Sequence, residues 1–157
     1  MVIEKSTDNS VQSSYKRPFQ RILVGLDASD QSHEIIMLVA YLAKTFNSSV
    51  IVCNVANMVT SVKGNELDGA PVTEEERKIH DKLEELIYKE FGDAGKQVKV
   101  QTLHGDPAER IVEYSEFCNS DLIVVGSRGQ GALKRALLGS VSSSIVAKTK
   151  KSVLIVK

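Results

Sequence analysis

Apolar residues follow two patterns that alternate along the chain. Short, almost continuous apolar runs rich in β-branched residues are typical of strands covered on both faces of a parallel sheet. A fifth segment, Val98–Leu103, alternates apolar with polar side chains, so we expect a strand with one wetter face or an edge position. The continuous runs are Arg21–Leu26, Val50–Val55, Leu122–Val125 and Val153–Val156.

The segments between these runs carry apolar residues at helical spacing. Each segment therefore predicts a helix that lays one apolar stripe on the sheet. Strands and helices then alternate strictly from the first run to the last. The stripe residues are Ile35, Val39, Leu42 and Phe46, then Ile79, Leu83, Leu86 and Ile87, then Ala108, Ile111, Val112 and Ser115, and finally Val141 and Ile145.

Signals for the start of a helix agree with these stripes. Ser29 is expected to cap the first helix. Thr73 with Glu76 forms the pattern of a capping box for the second helix. Asp106 followed by Pro107 predicts an N-cap and a first-turn proline for the third.

Strands joined by helices require right-handed parallel crossovers. The predicted fold class is therefore α/β, a doubly wound five-stranded parallel sheet of Rossmann-like type with strand order 3-2-1-4-5. We expect a single domain over residues 19–157, preceded by a flexible N-terminal tail at 1–18. Ligands of such sheets bind beyond the carboxyl ends of the strands. The long connection Ala56–Val72 follows the second strand, so it is predicted to lie over that end.

The charge balance and the lengths of the apolar runs indicate which classes of partner to exclude. The chain has 157 residues with 20 Lys and Arg against 20 Asp and Glu, so no global positive field attracts nucleic acid or anionic lipid. No apolar run approaches the roughly 20 residues that cross a bilayer. The first residues lack the basic-then-apolar order of a secretory signal. We therefore expect a cytoplasmic protein that binds neither nucleic acid nor membrane, with Cys53 and Cys118 as reduced thiols.

The segment Gly126–Ser142 carries the residues best suited to bind an anion. Its glycines allow a sharp turn and a close approach of backbone N–H groups to a ligand. Gly139 and Ser140 open the last helix, whose N-terminus offers unpaired N–H donors and partial positive charge to a phosphate. Ser140 and Ser142 add hydroxyl groups, and Arg128 adds a full charge.

The commoner phosphate-binding motifs do not occur in the sequence. A P-loop needs Lys followed by Ser or Thr after its second glycine. A dinucleotide fingerprint would follow the first strand, where the chain has Gly25-Leu-Asp-Ala-Ser29. The histidines at 33, 80 and 104 have no spacing that indicates a shared metal site. The predicted phosphate site is therefore of a different design.

These segments resemble those of a known family. The spacing Gly126-x2-Gly129-x9-Gly139-Ser140 resembles the G-2x-G-9x-G-[ST] motif of the ATP-binding branch of universal stress proteins. The run Arg21–Ser29 resembles the family's first strand and turn, and Ala147–Val156 resembles its closing helix and strand. The resemblance extends over about Arg21–Val156 and implies a fold similar to that of the adenine nucleotide alpha hydrolases.

The resemblance also implies where a nucleotide would bind. Asp27 would meet adenine or ribose, Val55 would line the adenine side, and the glycine-rich segment would surround the phosphates. A divalent ion, magnesium or manganese, would bridge the phosphates largely without protein carboxylates. The implied ATP-binding residues are Gly25, Leu26, Asp27, Val55, Val125, Gly126, Arg128, Gly129, Gly139, Ser140, Val141 and Ser142, and no catalytic residue is implied.

Simpler roles stay open for some of these residues. Asp27 could stabilise only the turn before the first helix, as aspartates often do. Ser140 could be only a helix cap, and Arg128 could be an ordinary exposed arginine.

Three functions follow from these observations as hypotheses. The first is a regulatory ATP-binding stress protein with an unidentified signalling partner. The second is an enzyme that hydrolyses ATP or transfers adenylyl groups, with turnover well below the roughly 1 to 1000 per second of dedicated enzymes, since no base or nucleophile can be assigned near the phosphates. The third is an ATP-free interaction module, which the complete glycine motif disfavours.

The last strand predicts how the chain assembles. Val153–Val156 contains neither proline nor charge, so as an edge strand it would expose apolar side chains and backbone hydrogen-bonding groups. We therefore expect a two-fold homodimer through this strand, which the resemblance also implies.

Overall fold

A five-stranded sheet lies at the centre of the computed structural model, which describes residues 18–56, 71, 73–127 and 138–157. The strands are β1 (Arg21–Gly25), β2 (Ser49–Ala56), β3 (Lys99–His104), β4 (Leu122–Gly126) and β5 (Ser152–Val156). The helices are α1 (Gln31–Phe46), α2 (Glu74–Phe91), α3 (Pro107–Phe117) and α4 (Ser140–Lys148), and a 3-10 segment, Gly92–Gln97, follows α2.

The strand order is β3-β2-β1-β4-β5, and each neighbouring pair is parallel. The predicted fold class and strand order are therefore confirmed. β3, whose alternating pattern predicts a wetter face or an edge, lies at one edge of the sheet. β5 lies at the other edge and is only partly buried, whereas its continuous apolar run predicts a strand covered on both faces. Its position beside a single neighbouring strand explains the difference.

Helices cover both faces of the sheet. On one face Val24 and Val52 pack in the same apolar cluster as Val39 of α1 and Leu83 of α2. On the other face Leu23 packs with residues of α3 and α4. Successive residues of β1 therefore contribute to opposite layers, as the period of a strand requires.

The predicted stripes face the sheet with one exception. Ile35, Val39 and Ile145 are buried, as expected from their helical spacing. Val141 is 36% exposed, so its assignment to the apolar stripe of the last helix is wrong. It lies in the first turn of α4 and lines a cavity at the end of the sheet instead of packing on the sheet.

Two of the three predicted caps are confirmed. Thr73 Oγ1 accepts a hydrogen bond from the Glu76 N–H, and a Glu76 carboxylate oxygen accepts from the Thr73 N–H, each at 3.2 Å. Asp106 accepts from the Glu109 N–H at 2.9 Å, immediately before Pro107.

The predicted cap of the first helix is wrong. The N-cap of α1 is Asp30, and its side chain makes no capping hydrogen bond. The Ser29 carbonyl already accepts from the Ser32 N–H at 3.0 Å. α1 therefore begins at Gln31, one residue later than the sequence signal indicates, and the Ser29 side chain is not the cap.

Parts of the predicted organisation lie outside the described residues. These are the tail at 1–18, apart from Pro18, and the connection Ala56–Val72, apart from its first residue and Pro71. The division into a tail and a domain at 19–157 stays a prediction.

The capping box gives a test of the start of α2. Thr73→Ala removes one acceptor of the reciprocal pair, so we expect the free energy of unfolding to fall by about 1 kcal/mol. Urea denaturation followed by circular dichroism measures this change. Ser29→Ala is the matched control and should change the value by less than about 0.5 kcal/mol. An equal loss in both variants would contradict the assignment of caps.

Candidate functional site

A cavity of about 700 Å³ opens at the carboxyl ends of β1, β2 and β4, where a doubly wound sheet places its ligand. The first turns of α1, α2 and α4 contribute to its wall. Arg128 and Gly129, which are predicted to contact phosphate, lie outside the described residues. The structure brings together on this wall all the other residues of the predicted ATP-binding set, which are Gly25, Leu26, Asp27, Val55, Val125, Gly126, Gly139, Ser140, Val141 and Ser142.

The glycine-rich segment leaves β4 and returns to α4 at one point of the cavity wall. The Ser127 N–H donates to the Val156 carbonyl at 2.6 Å, and the Ser127 carbonyl accepts from the Gly139 N–H at 2.7 Å. Gly139 is the N-cap of α4 and has no side chain to accept from the first-turn N–H groups. These N–H groups lie at the cavity, and they carry the partial positive charge of a helix N-terminus.

The two serines of this turn differ in their environment. Ser140 is exposed at the cavity wall. Ser142 is 2% exposed, and its hydroxyl donates to the Gly139 carbonyl at 3.1 Å and lies 3.4 Å from the Ser127 carbonyl. The sequence predicts both hydroxyls as phosphate donors, but the hydroxyl of Ser142 is directed inward and ties α4 to the end of β4. Its backbone N–H is the group left for a ligand.

The turn between β1 and α1 forms the next part of the wall and is held from three sides. Asp27 Oδ1 accepts from the Ser29 N–H at 3.1 Å, so Asp27 does stabilise this turn. Ala28 adopts a left-handed backbone conformation with φ of 57°, which is uncommon for a residue other than glycine. Its carbonyl accepts from Lys82 Nζ at 2.9 Å, and the Leu26 carbonyl accepts from Asn54 Nδ2 at 2.8 Å.

Val55 presents its backbone to the cavity. Peptide groups of successive residues in a strand point to alternate sides. The Cys53 carbonyl accepts from the Leu26 N–H on the β1 side, and the Ala56 carbonyl accepts from the Gly105 N–H on the β3 side. The N–H and C=O of Val55 therefore point to the β1 side. Because β1 ends at Gly25 and the chain turns away there, these two groups face the cavity.

The start of α2 forms the wall on the β2 side. Thr73, Glu75, Glu76 and Ile79 line the cavity there. The Glu76 carboxylate lies 3.2 Å from His104 Nε2, and both side chains are largely buried, with 6% and 12% exposure. This contact joins α2 to the end of β3.

Sequence reasoning missed several residues of the wall. Asn54 could have been noticed as a polar residue inside an apolar strand. Glu76 is predicted only as half of a capping box, and its partner His104, which is not itself part of the wall, is predicted only as the end of a strand. Gln31 has no sequence signal, although its side chain donates to the Val156 carbonyl at 3.1 Å.

The charges of the wall are distributed unevenly. Within the described residues, its carboxylates are Asp27, Glu75 and Glu76, and it contains no lysine or arginine. The glutamates lie on the β2 side, whereas α4 follows β4 on the opposite side of β1. An anionic group is therefore favoured at the α4 end of the cavity, and the amino group of a base at the other.

The cysteines are free thiols of low reactivity. Burial raises the pKa of the Cys53 thiol to about 12, with the nearby Cys118 as a smaller cause. Burial also raises the pKa of Cys118, which is partly exposed. Both thiols are therefore protonated at neutral pH, which disfavours thiolate chemistry at Cys53, the cysteine that lines the cavity.

Neither a metal-binding cluster nor a membrane-spanning helix occurs in the part of the chain that the structure describes. No cluster of three or more His, Cys, Asp and Glu side chains is arranged to hold a metal ion. Within the described ranges, no helix has both the length and the apolar character needed to span a bilayer.

Comparisons with known proteins show which family the chain resembles. A sequence model of the universal stress protein family matches residues 18–157. Stress response protein NhaX of Bacillus subtilis is 31% identical, and the match covers 87% of this chain and 97% of NhaX. Universal stress protein MJ0531 of Methanocaldococcus jannaschii is 32% identical over 95% of this chain and 88% of its own length.

Solved structures of two proteins have folds similar to that of this chain. The structure of hypothetical protein MJ0577, from Methanocaldococcus jannaschii, has a TM-score of 0.67 and 30% identity, covering 88% of this chain and 96% of its own. A universal stress protein in complex with cAMP has a TM-score of 0.60 and 25% identity, covering 89% and 98%. The second of these proteins binds an adenine nucleotide.

The buried pair of His104 and Glu76 gives a test of the α2 wall. His104→Leu leaves a buried carboxylate without this partner, so we expect the free energy of unfolding to fall by about 3 kcal/mol. Urea denaturation measures the change. His33→Leu is the matched control, because His33 pairs with Glu90 at 2.9 Å with its side chain 47% exposed. The control should lose less than about 1 kcal/mol, and similar losses in both variants would exclude a special role for the buried pair.

Proposed function

The chain belongs to the universal stress protein family, and we propose that it binds ATP in the cavity at the carboxyl ends of its strands, as a nucleotide-dependent regulatory protein. The observation that carries the proposal is a single cavity with the N-terminus of α4 at one end and the Val55 peptide group at the other. The N-terminus of α4 suits phosphates, and the Val55 peptide group suits a base. The cavity volume of about 700 Å³ also falls in the usual range for a ligand of this size.

The proposed orientation follows from charge and hydrogen-bonding capacity. The phosphates lie against the N–H groups of Ser140, Val141 and Ser142, which carry the positive end of the α4 dipole. Gly126 allows the backbone to approach them, and Arg128 and Gly129 are proposed to complete this end. Adenine lies against Val55, and ribose lies between Asp27 and Val125. The cAMP complex of a relative supports an adenine nucleotide as the ligand.

The divalent ion belongs to the same proposal. The described wall near α4 offers N–H and hydroxyl groups and no carboxylate. This donor set suits an anion, so a magnesium or manganese ion would be held chiefly by the phosphate oxygens. Such an ion would neutralise phosphate charge where the described wall has no basic side chain.

The distribution of carboxylates favours binding over rapid turnover. General-base catalysis of phosphate transfer needs a base within hydrogen-bonding reach of the attacking water. Glu75 and Glu76 line the opposite side of the cavity from α4, and Asp27 lies in the turn proposed to meet the nucleoside. We therefore propose a nucleotide-responsive protein. The cytoplasmic location and an unidentified signalling partner stay predictions from the sequence.

Thermal denaturation tests the proposed binding. Mg-ATP at 100 times its Kd should stabilise the native state by about 2.7 kcal/mol, and the Tm should rise by about 5 °C or more. Gly126→Asp places a negative charge at the end of β4 beside the proposed phosphates, so we expect it to abolish the shift.

A matched control tests whether the shift is lost because of where the charge is placed, and not because a charge is added. Asn119→Asp adds the same charge at the opposite end of the sheet, at a left-handed position with φ of 52° that both residues tolerate. This variant should keep the full ATP-dependent shift. Absence of a shift in the wild type at millimolar Mg-ATP would reject the proposed function.

We also propose that two copies pair through β5. The Val156 carbonyl accepts from Ser127 on the β4 side, so alternation directs the peptide groups of Val153 and Ile155 outward. These outward groups form an edge that a second copy can continue. The exposed Val146 of α4, at 50%, adds apolar surface near this edge.

Proline at an outward position tests the pairing. Val153→Pro removes an N–H that points away from β4, so the sheet within one copy should survive while pairing is lost. Light scattering at micromolar concentration should give twice the chain mass for the wild type and the single-chain mass for the variant. Lys157→Pro, outside the strand, should stay dimeric. A monomeric wild type would overturn the proposal.

A further inference from the structure

The turn between β1 and α1 holds an alanine in a backbone conformation that favours glycine. Ala28 has φ of 57° and is 7% exposed. The hydrogen bond from the Ser29 N–H to Asp27 Oδ1, at 3.1 Å, closes a turn around it. In a turn closed by an aspartate side chain, the conformation of the enclosed residue fixes the direction of that side chain. The position of the Asp27 carboxylate at the cavity therefore depends on Ala28.

The carbonyl of Ala28 takes no part in the hydrogen bonds of α1. The Ser32 N–H, which would reach it if the helix began earlier, donates to the Ser29 carbonyl at 3.0 Å. The carbonyl of so buried a residue needs a partner. A lysine of α2 provides one: Lys82 Nζ donates to the Ala28 carbonyl at 2.9 Å, across 54 residues of sequence.

This contact opposes the intrinsic preference of Ala28. In the left-handed region the Cβ of an alanine comes too close to the following carbonyl oxygen, so the conformation is unfavourable unless its surroundings hold it. A hydrogen bond from an ionised donor is stronger than one between neutral groups. Lys82 is itself exposed, whereas the adjacent Leu83 is buried. Its contact with Ala28 therefore orients the turn and can be removed without leaving a hole in the core.

We propose that Lys82 positions the Asp27 carboxylate for the nucleoside by holding Ala28 in its left-handed conformation; this inference rests on the proposed nucleotide function. Lys82 is not among the residues that line the cavity, whereas Asp27 is. Lys82 is thus a positioning residue, which acts through Ala28. When a protein binds its ligand in only one conformation, the apparent affinity falls with the population of that conformation.

Removal of the donor tests the role of Lys82. Lys82→Met keeps an unbranched side chain and loses the ammonium group, so Ala28 should leave the left-handed region in most molecules. The Kd for Mg-ATP should rise about fivefold, as the binding-competent fraction falls to about one fifth. Isothermal titration calorimetry measures the Kd. Lys78→Met is the matched control, because it removes the same charge from an exposed position one turn earlier on α2, and it should keep the wild-type Kd.

A second substitution distinguishes positioning from attraction between the lysine and the nucleotide. Glycine adopts positive φ about as readily as negative φ. Ala28→Gly in the Lys82→Met background should therefore bring the Kd back to within about twofold of the wild-type value. Ala28→Gly alone should bind as the wild type does. Because the glycine does not replace the lost charge, a Kd that stays raised in the double variant overturns the positioning role.

Hydrogen exchange at the Ser29 amide provides a readout without a ligand. This N–H donates to Asp27 in the closed turn, so it should be protected in the wild type and in Lys78→Met. It should exchange faster in Lys82→Met, where the turn opens, and Ala28→Gly should restore part of the protection. Equal exchange in the wild type and Lys82→Met would show that the lysine does not hold the turn.

Failure of this inference and failure of the proposed function give different results. A wild type that does not bind Mg-ATP rejects the proposed function, while the exchange of the Ser29 amide still decides whether Lys82 holds the Asp27 turn. A wild type that binds Mg-ATP, with Lys82→Met unchanged in both Kd and exchange, rejects the role of Lys82 alone.

Discussion

The rest of the structure depends on one constraint. At the carboxyl edge of the parallel sheet, the last peptide groups of the strands have no neighbouring strand to pair with and need other hydrogen-bond partners. A buried N–H or C=O without a partner costs about 1 to 3 kcal/mol, so each strand end needs a solution. The Gly105 N–H satisfies Ala56, and Asn54 satisfies Leu26 through its side chain. The Val55 peptide group and the first turn of α4 face the cavity instead. The groups proposed to bind the ligand are therefore the peptide groups that the hydrogen-bond ladder of the sheet leaves unpaired.

The Val156 carbonyl joins the site to the edge of the sheet. It accepts from the Ser127 N–H, where the glycine-rich segment begins, and from Gln31 Nε2 at the start of α1. One acceptor on the last strand therefore holds two parts of the cavity wall. Any change in the position of β5, including pairing with a second strand, would act directly on the groups proposed to surround the nucleotide.

The two sides of the cavity have opposite electrostatic character for a local reason. Acidic residues concentrate at the N-terminus of α2, where the helix dipole stabilises them and Glu76 also closes a capping box. At the start of α4 there is no acidic residue, so the same kind of helix end keeps its N–H groups and its positive potential for a ligand. Among the helix N-termini at the cavity, that of α2 is thus neutralised by acidic residues of the chain, whereas that of α4 is left open.

The fold and the outline of the site could be predicted because they depend on short-range patterns. The apolar runs, the helical stripes and the box formed by Thr73 and Glu76 all arise within a few residues, where the period of the backbone decides which side chains meet. The strand order and right-handed connections then bring the ends of β1, β2 and β4 together. Ser29 is wrongly predicted as the cap of α1, because the spacing of residues does not show at which of two adjacent polar residues, Ser29 or Asp30, the helix begins.

The sequence by itself determined the class of fold, the family resemblance and ten of the described residues at the cavity, because motifs and periodicity are local. Only the tertiary structure decided the contacts that shape the site. Asn54 meets Leu26 across 28 residues, Lys82 meets Ala28 across 54, and Gln31 meets Val156 across 125. The pairing of such distant polar groups is set by the register of strands and the packing of helices, since burial requires each group to find whichever partner the fold brings within reach.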